Sequence, residues 1–116
     1  MFKFRFQDLE IWKMAIEIAD ELFDIADELE QKRLYRFAEQ LRASGMSMSN
    51  NIAEGSGASS DVEFARYLEI AKKSTFENAN ILIILHRRTL INEEKLNAQL
   101  DHLCRKTSNF KKTLRR

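Results

Sequence analysis

The run Leu9–Leu29, LEIWKMAIEIADELFDIADEL, decides the fold class. Leu9, Trp12, Ala15, Ile16, Ala19, Leu22, Phe23, Ala26 and Leu29 recur at spacings of three and four, the mark of a helix with one apolar face. Asp8 precedes the run and reads as its N-cap, a carboxylate that accepts the unpaired backbone N–H groups. Ile11, Ile18 and Ile25 add a second stripe. Together the stripes are wider than one helix seam needs, so a flank of this helix is expected to meet a second surface, such as another subunit.

Working outward, Phe2, Phe4 and Phe6 alternate with Lys3 and Arg5. Period two predicts an extended arm over residues 1–7 with one apolar face. A second helix is expected over residues 32–53, with Leu34, Phe37, Ala38, Leu41, Met48 and Ile52 inward. Its middle is small (Ala43, Ser44, Gly45, Ser47, Ser49), which lets helices approach closely. Gly55 and Gly57 are expected to end it at positive φ. Ser60-Asp61-Val62-Glu63 reads as a capping box opening a third helix to about Arg88. Asn92 is the expected N-cap of a fourth, whose seam is Leu96, Leu100, Leu103, Thr107, Phe110 and Leu114. The absence of proline and the presence of only three glycines favour few turns and long helices. Short connections force antiparallel neighbours. The expectation is all-α: one domain over residues 1–116, an antiparallel up-and-down four-helix bundle.

Composition narrows the function. A net charge of +1 predicts neither nucleic-acid nor membrane binding by bulk attraction. The distribution is uneven. Residues 8–30 carry nine acids against Lys13 alone, and residues 105–116 carry six bases and no acid. That asymmetry fits a basic tail meeting phosphate, and it fits solvated faces equally well. Cys104 is the single cysteine, which rules out an internal disulfide and fits a reducing cytoplasm. No apolar run is long enough for a membrane span, and no signal-peptide core opens the chain.

No constellation supports an enzyme. His102 and Cys104, two apart on a helix, point about 200° apart and cannot share a metal. The Gly55–Ser60 segment lacks the Lys-Ser/Thr of a phosphate loop. No metal, cofactor or small-molecule substrate is expected. Asn50, Asn51 and Glu54 are poor residues for the end of a helix. They predict a polar network: an asparagine bonded to loop backbone, and Glu54 paired with Arg42 or Arg66. Such a network fixes the turn, or it contacts RNA. Candidate phosphate contacts are Lys32, Arg33, Arg36 and Arg42 on the second helix, and Lys111, Lys112, Arg115 and Arg116 in the tail.

Leu41-Arg42-Ala43, Ser49-Asn50-Asn51-Ile52-Ala53-Glu54-Gly55, Glu63-Phe64-Ala65-Arg66-Tyr67-Leu68-Glu69-Ile70-Ala71 with Ser74, and the opening Phe6–Ala15 form a pattern. It resembles the bacterial four-helix-bundle proteins named for 23S ribosomal RNA intervening sequences, over nearly the whole chain. The chain departs from that pattern at Ala43, where a second arginine is usual nearby, at Lys73, where glycine is usual, and near Met48, where a proline is missing. The resemblance implies a homo-oligomer, a ring-like pentamer. It extends to accessory proteins of diversity-generating retroelements, which bind nucleic acid and a reverse transcriptase. Two functions follow as expectations: a non-enzymatic oligomer that binds RNA, or a scaffold for a protein partner.

Overall fold

The computed structural model describes residues 1–114. Four helices run α1 (Glu10–Gln31), α2 (Tyr35–Ser56), α3 (Asp61–Arg87) and α4 (Leu96–Lys112). Each packs on its sequence neighbours and α4 closes on α1, while the backbones of the diagonal pairs stay farther apart. This is the expected up-and-down bundle. Candidate RNA contacts Arg115 and Arg116 lie outside the described residues.

The core is a seam from each helix. On α1 it consists of Ile11, Ala15, Ile18, Ala19, Leu22, Ala26 and Leu29; on α4, of Leu96, Leu100, Leu103 and Thr107. The supposed second stripe of α1 is therefore largely core. Ile11 and Ile18 are buried and Ile25 partly so, whereas Trp12, Ile16 and Phe23 flank the seam half-buried. The apolar residues span a wide arc, and the bundle centre takes its middle.

Local chemistry corrects several boundaries. The arm is not extended throughout: Arg5–Asp8 form one 3-10 turn. That turn places Asp8 ahead of the helix, so Leu9 occupies the N-cap and Asp8 instead accepts from Lys3 Nζ at 3.2 Å. Helix α2 starts at Tyr35 because α1 ends in a Schellman turn. Arg33 N–H donates to Glu30 O and Leu34 N–H to Leu29 O, with Arg33 at φ 66°. The same turn recurs after α3, with Thr89 at φ 57° and Leu90 N–H donating to Leu85 O. The left-handed positions thus fall on Arg33 and Thr89, and no glycine has positive φ. Ser60 does cap α3, accepting from Glu63 N–H at 3.2 Å. Helix α4 starts at Leu96, since Glu93 rather than Asn92 takes the capping role: its carboxylate accepts from the N–H groups of Lys95 and Leu96.

Gly55 lies inside α2 and is buried. A Cβ there would stand 2.7 Å from Tyr67 Cβ and 2.8 Å from Phe64 Cδ1. Its job is close approach of α2 to α3, not a turn. Gly45 differs: a Cβ there would meet Leu22 Cδ1 at 3.4 Å, ordinary contact. Gly55→Ala is expected to destabilise the fold by about 1–3 kcal/mol through overpacking. Gly45→Ala is expected to raise stability by up to about 1 kcal/mol through helix propensity. Urea denaturation of both variants checks the contrast, and equal losses would contradict it.

Candidate nucleic-acid interface

The antiparallel order sorts the candidate cations to opposite ends of a bundle 45 Å long. Lys32, Arg33 and Arg36 sit at the end holding the α1–α2 and α3–α4 turns. Lys111 and Lys112 sit at the other, with the α2–α3 turn. One surface of one chain cannot use both sets.

At the first end the cations are partly committed. Lys32 Nζ donates to Leu90 O at 3.2 Å and ties the two Schellman turns together. Arg42, further along α2, bonds Asp27 at 2.8 Å and Glu30 at 2.6 Å, fastening α2 to α1. Hydrogen bonds to Asp27, then to Glu30, push its pKa above the ordinary arginine value. Arg42 is therefore an interhelical fastener, and the nearby acids of α1 are the reason. Arg33 and Arg36 stand exposed.

The second end gathers more than the sequence reading assigned it. A groove of about 760 Å³ runs between the first half of α3 and the end of α4. Arg66, Lys72, Lys111 and Lys112 line it, with Glu69 as the carboxylate among its lining residues and Val62, Ala65 and Leu114 as apolar surface. Glu69 Oε1 accepts from Lys111 Nζ at 2.8 Å and Lys72 Nζ at 3.2 Å. Those bonds, Lys111 first, hold the Glu69 carboxyl below its ordinary pKa. Arg66 and Lys112 have no carboxylate within ion-pair distance among the described residues. Arg66 was expected as a partner for Glu54, and Lys72 lies further along the same helix. Antiparallel pairing of α3's start with α4's end is the signal that joins them to the tail.

The polar network is built differently from expectation. Glu54 is exposed and pairs with neither Arg42 nor Arg66, because Arg42 is held by α1. Asn50 is exposed. Asn51 Nδ2 donates back along α2 to Ser47 O at 2.8 Å and Ser47 Oγ at 3.0 Å, not to the loop. Ser47 Oγ meets Ser74 Oγ across the seam at 2.7 Å. The centre of the network is Asn78, fully buried, which the sequence reading missed. Its Nδ2 donates to Ser44 O at 2.9 Å and Ser74 O at 3.0 Å, and Ser44 Oγ lies 2.5 Å from its Oδ1. A lone Asn in an apolar register was the available clue.

No group of three or more His, Cys, Asp or Glu that could hold a metal ion occurs among the described residues. His86 and His102 are exposed on different helices and Cys104 is half-buried. No helix among the described residues is long and apolar enough to cross a membrane.

A family model described as 23S rRNA-intervening sequence protein matches residues 7–112. No curated protein matches. Three chains of solved structures match. One is a crystal structure of a protein with unknown function from the S23 ribosomal protein family of Bacteroides thetaiotaomicron. It is 24% identical, covers 88% of this chain and 98% of its own, and superposes with a TM-score of 0.83. It shares the fold.

Asn78→Ala is expected to cost about 1–3 kcal/mol, since it removes the buried amide that bonds Ser44 Oγ and the carbonyls of Ser44 and Ser74; thermal unfolding measures it. A carboxyl NMR titration should place Glu69 below free glutamate. Its ion pairs then stabilise the fold above the ordinary glutamate pKa, and that contribution is lost as pH falls through the depressed folded value. Lys111→Ala is expected to move the Glu69 pKa upward, and an unmoved titration would contradict the assigned cause.

Proposed function

The chain belongs to the 23S rRNA-intervening sequence protein family, and on that footing we propose a non-enzymatic, oligomeric RNA-binding protein that grips phosphates. The observation that carries the reading is the groove in which Arg66, Lys72, Lys111 and Lys112 converge around one carboxylate. Phosphate binding needs several cations on one surface, and such contacts position RNA without reading its bases. The family's description names 23S rRNA, so a ribosomal RNA fragment is the first ligand to test. Assembly of several copies would repeat a modest groove around one particle and multiply its effect.

A second reading, a protein-interaction scaffold, has its own observation. Phe76 is 63% exposed and Ile83 48%, with Ile84 beside it, all on the outer face of α3. Apolar side chains clustered on one helix face favour a protein neighbour. A homo-oligomer, the pentamer included, is compatible with both readings.

The test is fluorescence anisotropy of a labelled 23S rRNA fragment at about 50 and 200 mM salt. Binding is expected at about micromolar Kd and to weaken steeply with salt. Reversing Lys111, Lys112, Arg115 and Arg116 to Glu is expected to abolish it, while Arg36→Glu at the far end leaves it within about twofold. Binding that survives the reversal removes the groove from the reading. No binding at low salt removes RNA and leaves the scaffold. Sedimentation of a Phe76→Glu/Ile83→Glu variant separates the α3 face: dissociation assigns it to self-association, and an unchanged assembly does not.

A further inference from the structure

The N-terminal arm builds a surface that the phosphate reading does not use. Phe2, Phe4, Phe6 and Trp12 touch in series, with Phe2 edge-on to Phe4 at 88° and Phe6 tilted 54° against Trp12. Ring centroids lie 4.9, 5.4 and 5.3 Å apart in turn, and the Phe4 and Phe6 planes are within 10° of parallel. The inner end is anchored, with Phe6 and Trp12 half-buried. The outer end is open: Phe2 is 77% exposed and Phe4 56%.

The backbone beneath the rings is held. Phe4 N–H donates to Gln7 Oε1 at 2.8 Å, and Gln7 N–H returns a bond to Phe4 O at 3.1 Å. The Arg5 guanidinium lies 5.6 Å from the centroid of the Phe64 ring and donates to Ser56 O at 3.4 Å. Aromatic rings left in water lose the hydrophobic gain of burial, yet this arm is pinned in a shape that presents two of them.

Charge around these rings narrows what covers them. Lys3 and Arg5 alternate with the rings. Lys3 is committed only to Asp8, in an exposed pair of little worth that a phosphate can displace. Contacts to Ser56 and Phe64 place the arm at the bundle end that carries the basic groove. Among the acids at this end, Glu10 is paired to Lys106 and Glu69 to Lys72 and Lys111, while Glu54, Asp61 and Glu63 are exposed around the α2–α3 turn. Flat π-faces interleaved with cations match a chain that alternates flat bases with phosphates. A purely apolar partner would gain nothing from the cations.

We propose that Phe2 and Phe4 are a stacking platform for unpaired nucleobases of an RNA whose phosphates meet Lys3 and the α3–α4 groove. This rests on the RNA reading above and adds to it a ligand class, single-stranded rather than duplex RNA. In a duplex the bases already stack on each other and offer no free face.

The experiment is anisotropy with a labelled twelve-nucleotide oligoadenylate and a blunt RNA duplex of the same length, at about 50 mM salt. Wild-type protein is expected to prefer the single strand by roughly tenfold or more, and Phe2→Ala/Phe4→Ala to erase that preference while leaving duplex affinity within about twofold. Phe2→Leu/Phe4→Leu, apolar without a π-face, is expected to behave like the alanine variant. Both rings are exposed, so circular dichroism is expected to show an unchanged fold. Leucine that binds like phenylalanine, or a wild type without preference, overturns the platform. Alanine without effect, while Lys111→Glu/Lys112→Glu still abolishes binding, overturns the platform alone and leaves the phosphate reading standing. No binding of either RNA overturns both. Loss of self-association in the alanine variant with unchanged RNA affinity gives the arm to a second copy and also overturns the platform.

Discussion

The close approach of α2 to α3 is the constraint on which the other features depend. At one point it leaves no room for a Cβ at Gly55 against Phe64 and Tyr67. Further along it is bridged by Asn78, Ser44, Ser47 and Ser74. A seam this tight has one register: slide α3 by a residue and Asn78 loses both of its bonds to Ser44 of α2 inside the core. That register sets where α3 begins. It therefore sets where Phe64 receives Arg5 and where Arg66 and Lys72 meet α4.

Much of this was readable in the residues. The three-and-four spacing of α1 and α4 gave helices because apolar burial is what holds a helix in a protein, and Ser60 and Glu63 marked a start by satisfying local donors. What failed was whatever depended on a distant partner. Asp8 looked like a cap until the 3-10 turn moved it. Arg42 looked free for phosphate, and only the packing of α1 on α2 shows Asp27 and Glu30 in reach. Gly55 looked like a helix end because glycine usually is one; its real constraint, two rings from α3, lies outside any local window. The groove was half legible. Lys111 and Lys112 were chosen from the tail, while Arg66 and Lys72 join them only through the antiparallel pairing of α3 with α4.

The same pairing explains why an almost neutral chain can still hold a basic site. The acids of α1 lie along a different helix from the groove, with Asp27 and Glu30 bound to Arg42. Glu69 takes two lysines at once and, among the described residues, leaves Arg66 and Lys112 without a carboxylate in ion-pair distance. Charge is balanced over the molecule and unbalanced locally, which net charge conceals.

Every seam but one joins helices consecutive in the chain. The exception is α1 against α4, which share the thinnest contact and are tied by Lys106 to Glu10 at 3.3 Å. Forming α1–α2, α2–α3 or α3–α4 closes only a short stretch of chain, whereas bringing α4 back to α1 closes nearly all of it, at greater entropic cost. Loop closure alone therefore favours docking of chain neighbours ahead of the α1–α4 edge. Opening that edge would free one flank of α4, the helix that carries Lys111 and Lys112 of the groove, while the α2–α3 seam is untouched.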